Sequence, residues 1–237
     1  MPNSLITLII ATRNRHKVGE IRAMLGEGFR VLTLDDFPGA PAVVEDAPTF
    51  AGNATKKAVE LARWISSRPP GGPELGERTF VLADDSGLEV DAINGAPGVH
   101  SARFAALGGK SAGNSSDADN SAKLLRLLAD VPADKRAARF RCVLALTPVA
   151  RAGAANASPV CAADEFELST ETFDGTCEGR IGLGPKGKGG FGYDPLFIPA
   201  GGTATFAELG EQIKNESSHR ARALAKLRAR FHEARLK

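Results

Sequence analysis

The chain has 237 residues, 43% of them hydrophobic and 24% charged, with a formal net charge of +2. That is enough for one large domain or two small ones at an ordinary globular balance, and it argues against a dedicated polybasic nucleic-acid binder. No apolar run approaches the ~20 residues of a membrane span, and Met1-Pro2-Asn3-Ser4 lacks the basic start and long apolar stretch of a secretory signal.

Leu5 to Ala11 is an apolar run of strand length. Thr12-Arg13-Asn14 reads as a turn. A helix is expected from Arg15, with Val18, Ile21, Met24 and Leu25 at helical spacing and a stop near Gly26 and Gly28. Phe29 to Leu34 reads as a second strand, followed by a Pro-rich loop from Pro38 to Pro48. Thr49 is the expected cap of a helix through Ile65, with Phe50, Ala54, Ala58, Leu61, Ala62 and Ile65 on one face. Ser66 to Arg78 is rich in Pro and Gly and reads as a surface insertion.

The Val81 run then meets Asp84-Asp85-Ser86-Gly87, where the strand is expected to end. A further strand is expected from Leu88 to Ile93, and a loop over Asn94 to Gly98. Ser101 to Gly113 reads as irregular. Asp117 to Val131 reads as a helix with Leu124, Leu125 and Leu128 as its stripe. Ala138 to Thr147 reads as a strand, Ala150 to Ser158 as a small-residue loop, and Pro159 to Thr176 as holding a broken strand. Gly182 to Gly192 is glycine-rich, and Leu196 to Ile198 is a short strand. A last helix is expected from Ser218 to Leu236, with Ala221, Leu224, Leu227 and Phe231 facing inward. Helices and strands mix without strict alternation, so the expected class is α/β with a mixed sheet. No linker divides residues 1–237, which are read as a single domain.

Three cysteines, Cys142, Cys161 and Cys177, include no close pair. That spacing gives neither a zinc knuckle nor a CxxC site, and reduced thiols in a cytoplasmic protein are expected. The four histidines never fall at i,i+4, so no helical zinc motif is present.

Carboxylates at the mouth of a buried strand are costly unless a cation compensates them. A hard divalent metal, Mg²⁺ above all, takes oxygen ligands and shares them with phosphates. One carboxylate can instead serve as a base toward water. The alternative for Asp-Ser-Gly is a solvated turn with a capping Asp.

Arg13, Arg15, His16 and Lys17 cluster at a helix start, the end that carries partial positive charge and unpaired N–H groups. A phosphate resolves that conflict, with Thr12 and Asn14 as further contacts; the alternative is a solvated basic face. His219 and Arg220 repeat the misfit at the last helix, with Lys214 just upstream. Gly187 to Gly192 fits G-x-G-x-x-G but runs into a strand instead of opening a helix, which excludes the dinucleotide reading. Presenting Phe191 and Asp194, the loop suits a base-binding clamp, or is a plain glycine hairpin.

Six segments in order resemble the inosine/xanthosine triphosphate pyrophosphatase family. They are Thr12-x-Asn14-x-x-Lys17; Thr49-Phe50 with Asn53-Ala54; Ala83 to Leu88; Gly95 to Gly98 with Ser101-Ala-Arg103; Gly190 to Pro195; and Ser218-His-Arg220. The resemblance spans residue 5 to about 230. It implies an elongated mixed α/β fold, two lobes around a central substrate cleft, and a homodimer. It also implies Mg²⁺-dependent hydrolysis of ITP, dITP and XTP to the monophosphate and pyrophosphate. By motif, Thr12, Arg13, Asn14, Arg15, His16 and Lys17 would hold the triphosphate. Asp85 would be the metal-linked general base, Glu45 a further metal ligand and Ser86 a substrate contact. Phe191, Gly192, Tyr193, Asp194, Lys214, His219 and Arg220 would surround base and sugar. The family often has an acidic residue where Gly52 stands, which leaves that part of the metal shell to Glu45 and water, and an aromatic where His100 stands.

In the expected mechanism Asp85 activates a water for attack on the α-phosphorus. A donor facing the 6-oxo oxygen, either Arg220 or an N–H of the Gly192 loop, selects the base. Two other readings are a pyrophosphatase for modified pyrimidine nucleotides and an RNA- or nucleotide-binding module. No RNA-recognition signature accompanies the latter, since aromatics are only 6%, and no stable nucleic-acid or membrane partner is expected.

Overall fold

The computed structural model describes residues 5–69, 72–108, 113–149 and 165–233. In chain order the principal elements are β1 (Ile6–Ile10), α1 (Arg15–Leu25), β2 (Phe29–Thr33), α2 (Phe50–Ser67), β3 (Thr79–Val90), α3 (Asp117–Leu127), β4 (Ala137–Pro148), α4 (Glu165–Leu168), β5 (Glu171–Ile181), β6 (Phe197–Pro199), α5 (Phe206–Ser217) and α6 (His219–Glu233). The strands form one six-stranded sheet in the order β2-β1-β3-β4-β5-β6. β1 pairs in parallel with β2 and β3, while β5 and β6 are antiparallel. The expected mixed α/β class is borne out.

The chain divides into two compact units. The first comprises residues 1–85, 143–173 and 227–237; the second comprises 86–142 and 174–226. In the first unit β1 is buried on both faces, which is why it reads as an unbroken apolar run. α2 lays Phe50, Ala54, Ala58, Leu61, Ala62 and Ile65 into the core, and Thr49 caps it by accepting from Gly52 N–H at 3.0 Å. Phe231 of α6 closes this core edge-on against Phe29 and Phe80. In the second unit Leu88, Leu124, Leu128, Phe140, Phe197 and Phe206 form the centre of another core.

Several expectations are corrected. β3 does not end at Asp84 but runs unbroken to Val90, so the separate Leu88 strand disappears. What ends there is its parallel neighbour, since the β1 pairing stops at Leu82. The helix after Asp117 stops at Leu127, short of Val131. Residues 165–168 are helical and β5 begins only at Glu171, so the broken strand expected over 159–176 is misplaced. The loop expected over 150–158, like Cys161 and the helix end after Glu233, lies outside the described residues. α5 was not foreseen: it bends at Gly210, whose φ of 81° interrupts its periodicity. On α6 it is Ala223, not Ala221, that is fully buried.

β5 passes close beneath α6. A Cβ on Gly175 would lie 2.0 Å from the His219 carbonyl, so only glycine lets this helix start rest on the strand.

Candidate active site

In the first unit the end of β1 delivers Thr12 and Asn14 to the start of α1. Thr12 Oγ1 accepts from Asn14 N–H at 3.1 Å. Asn14 Oδ1 in turn accepts from His16 N–H at 3.0 Å and Lys17 N–H at 3.2 Å. Asn14 is therefore the helix cap, and it occupies two of the N–H groups that the sequence left open for an anion. Arg15 and His16 are exposed, and Arg13 donates to the Ala40 carbonyl at 2.9 Å.

Lys17 turns inward. Its Nζ donates to Asp84 Oδ1 at 2.6 Å. The next carboxylate, Asp85, faces a different lysine. Lys57 of α2 sits 3.4 Å from Asp85 Oδ1, 3.1 Å from Glu45 Oε1, and donates to the Asp84 carbonyl at 2.8 Å. Burial pushes the Asp85 carboxyl up, and Lys57 and Lys17 offset that only in part. Burial works against the charge on Lys57, but Asp85, Glu45 and Asp84 together hold it above the usual lysine range. The second oxygen of Asp85, Oδ2, is buried and makes no hydrogen bond among the described residues.

That orphaned oxygen, on a carboxylate that shares Lys57 with Glu45, is the kind of donor a hard divalent cation takes. Among the described residues no three His, Cys, Asp or Glu side chains gather to hold a metal by themselves. A Mg²⁺ ion here fits only as one that completes its shell with water and substrate oxygens, which is its ordinary habit.

Sequence reasoning assigned no role to Lys57 or Asn53. The signal was available for Lys57: a lysine falls on the apolar stripe of α2, where only a buried counter-charge justifies it.

In the second unit Ser86, the next residue of β3, accepts from Arg220 Nη2 at 2.9 Å. Arg220 is 1% exposed. Ser218 Oγ accepts from Ala221 N–H at 3.2 Å and so caps α6. His219 stacks on Phe140, centroids 4.8 Å apart. Lys214 and Asp194 form a buried ion pair at 2.5 Å, and Lys214 Nζ lies 4.4 Å from the centroid of the half-buried Phe191 ring. Asp194 Oδ2 also accepts from Phe191 N–H at 2.8 Å. Tyr193 donates its hydroxyl to the Ser101 carbonyl at 3.0 Å; its body is buried.

Gly192 N–H donates to Asp117 Oδ2 at 2.6 Å. With Phe191 N–H held by Asp194, the loop's two nearest amides are engaged inside the protein. Arg220, the other donor expected for a 6-oxo group, is engaged with Ser86. Asp117 was not foreseen as a partner of this loop.

Fold and site together define a class: a mixed α/β protein whose buried carboxylates are matched to lysines. The chain belongs to the Ham1 family, whose model matches residues 8–230. It is 45% identical over 220 residues to a dITP/XTP pyrophosphatase of Desulforamulus reducens, covering 92% of each chain. It is also 45% identical over 222 residues to the dITP/XTP pyrophosphatase of Geobacter sulfurreducens, covering 93% of this chain and 94% of that one. The solved Ham1 protein of Staphylococcus aureus matches with a TM-score of 0.72 at 31% identity, over 96% of this chain and 99% of that one. The resemblance read from the ordered motifs is thereby borne out. No helix among the described residues is long and apolar enough to cross a membrane.

Proposed function

We propose that this protein hydrolyses non-standard purine nucleoside triphosphates, dITP, ITP and XTP, to the nucleoside monophosphate and pyrophosphate, and so clears them from the nucleotide pool. The observation that carries the reading is Asp85: a buried carboxylate with one oxygen set against Lys57 and the other without a partner among the described residues. The names of the relatives support the substrate class.

The chemistry asks for little beyond positioning and charge neutralisation. Asp85 accepts a proton from the attacking water as it adds to the α-phosphorus, and pyrophosphate departs with the electrons of the broken P–O bond. Lys57 keeps the Asp85 carboxylate oriented. Lys17, Arg13, Arg15, His16, Thr12 and Asn14 serve the triphosphate end. Phe191, Gly192, Tyr193 and Asp194, with Lys214, His219, Arg220 and Ser86, serve the base and sugar. Glu45 and Asp85 would hold Mg²⁺, which when bound neutralises phosphate charge and acidifies water. In the same reading the enzyme is Mg²⁺-dependent, homodimeric and cytoplasmic, and the chain works as a single domain of two lobes around a substrate cleft, as the motif resemblance implies.

The test is a panel of dITP, XTP, dATP, dGTP, dUTP and dTTP with purified protein, with and without Mg²⁺, both products being identified. Monophosphate and pyrophosphate from dITP and XTP are expected. Release of inorganic phosphate, or equal turnover of dATP, would overturn the reading.

A further inference from the structure

Asn53 lies in the first turns of α2 and is fully buried. Its Oδ1 accepts from the Ala47 N–H at 2.9 Å. Ala47 is two residues beyond Glu45, so this bond ties the Glu45 segment to α2. The fit is close: a Cβ on Gly52 would lie 2.8 Å from the Ala47 Cβ. With Oδ1 committed to a backbone donor, the orientation of the amide is fixed, and Nδ2 must point the other way.

Nδ2 is buried and makes no hydrogen bond among the described residues. A buried donor in that condition is costly, and such atoms in native proteins call for an explanation. The same region contains one buried acceptor in the same condition, Asp85 Oδ2. The two orphans are complementary, one donor and one acceptor. Asn53 precedes Lys57 by four residues on the same face of α2, and Lys57 Nζ sits 3.4 Å from Asp85 Oδ1.

We infer that Asn53 is a positioning residue for the proposed hydrolysis: its Oδ1 fixes the Glu45 segment while its Nδ2 is aimed at Asp85 Oδ2, directly or through one water, so that a single buried amide sets the placement of both carboxylates. The amide does not touch substrate. It acts through the carboxylates, in the way that outer hydrogen bonds orient metal ligands and tune them. The inference rests on the proposed reading for its catalytic consequence but not for its geometry.

The geometric part is read by NMR of the side-chain amide in the intact protein, without nucleotide. The Asn53 Nδ2 protons are expected to exchange slowly and to shift when Asp85→Asn is introduced. An Asn53 side-chain signal that exchanges freely, or is indifferent to Asp85→Asn, overturns the inference whatever the enzyme hydrolyses.

The functional part uses Asn53→Asp, which keeps an acceptor for Ala47 and removes the donor, and Asn53→Leu, which removes both. With Mn²⁺ as probe and no nucleotide, Asn53→Leu is expected to weaken metal binding by about 10- to 100-fold. In both variants kcat should fall by a similar factor of about 10- to 100-fold while KM at saturating metal stays within about twofold. If Asn53→Leu does not fold, Asn53→Asp carries the kcat test alone. Unchanged kcat in a folded variant overturns the positioning role. A wild-type protein inactive on every nucleotide would instead overturn the proposed function and leave the amide measurement standing.

Discussion

Lys17 Nζ lies 2.6 Å from Oδ1 of Asp84, a carboxylate whose side chain has no exposed surface. A cation that the sequence presents as a phosphate ligand is thus also the counter-charge of a buried acid. Removing the lysine should therefore cost stability as well as affinity. Lys17→Met is expected to lower unfolding free energy by about 3 kcal/mol, the low end for breaking a buried pair, because the lysine keeps some solvent contact. Asp84→Asn in the same chain should recover much of that loss while leaving KM for dITP raised. Urea unfolding and steady-state kinetics on the two variants check both halves. A Lys17→Met protein as stable as the parent would show that the pair contributes nothing.

Asp85 is the residue whose loss should separate chemistry from folding. Asp85→Asn preserves shape and removes the base, so kcat should fall by about 10²- to 10⁴-fold with the circular dichroism unchanged. The pH profile gives a second check. Burial holds the Asp85 carboxyl above its ordinary value. In the metal-free protein the Asp85 carboxyl should therefore titrate at higher pH than a solvent-exposed aspartate, and Mg²⁺ added in the proposed reading should bring it down. NMR of the side-chain carboxyl with and without Mg²⁺ checks both halves. A metal-free Asp85 that titrates in the ordinary carboxylate range would overturn the effect of its burial.

Arg220 is buried and donates to Ser86, so its guanidinium is fixed before substrate arrives. In the proposed reading it is the donor that faces a 6-oxo oxygen. An adenine amino group would present a donor to a donor. Losing one such buried match costs ~1–3 kcal/mol, or roughly ten- to a hundredfold in selectivity. Arg220→Met should reduce the dITP-to-dATP ratio of kcat/KM by about that factor, mainly by loss on dITP. Equal losses on both nucleotides would make Arg220 structural only.

The class of fold was legible because its signals are local. The β1 run, the Thr49 cap and the stripe of α2 are set by neighbours in sequence, and each appears where periodicity and capping put it. The continuation of β3 through Asp84 to Gly87 was hidden for a different reason. Two acids and a glycine look like a strand end, and here the strand is kept going by partners distant in sequence. The bend of α5 at Gly210 likewise breaks the period that would have revealed a helix. In the site, residue types were legible and pairings were not. Lys17 and Lys214 both stood out as cations near helix starts, but the acids they meet lie 67 and 20 positions away. Asn53 was legible only as part of a motif, with no role attached, since a single buried amide has no pattern that shows its partners.

Gly190 and Gly192 offer a paired test of the loop that carries Phe191. Both have left-handed backbones, with φ of 73° and 64°. Their surroundings differ. A Cβ at Gly190 would lie 2.1 Å from Asp194 Oδ2 and 2.8 Å from its Cγ, whereas a Cβ at Gly192 meets nothing within 4 Å. Asp194 cannot move aside freely, because Lys214 and the Phe191 amide both hold its Oδ2. Gly192→Ala should thus cost only the backbone penalty, ~1–2 kcal/mol. Gly190→Ala adds displacement of a buried ion pair and should cost at least ~2 kcal/mol more. Because the displaced carboxylate also anchors the turn that presents Phe191, Gly190→Ala should raise KM for dITP well beyond the Gly192→Ala value. Denaturation midpoints and KM for the two alanine variants decide it. Equal effects would mean that the close approach to Asp194 is not what requires glycine at this turn.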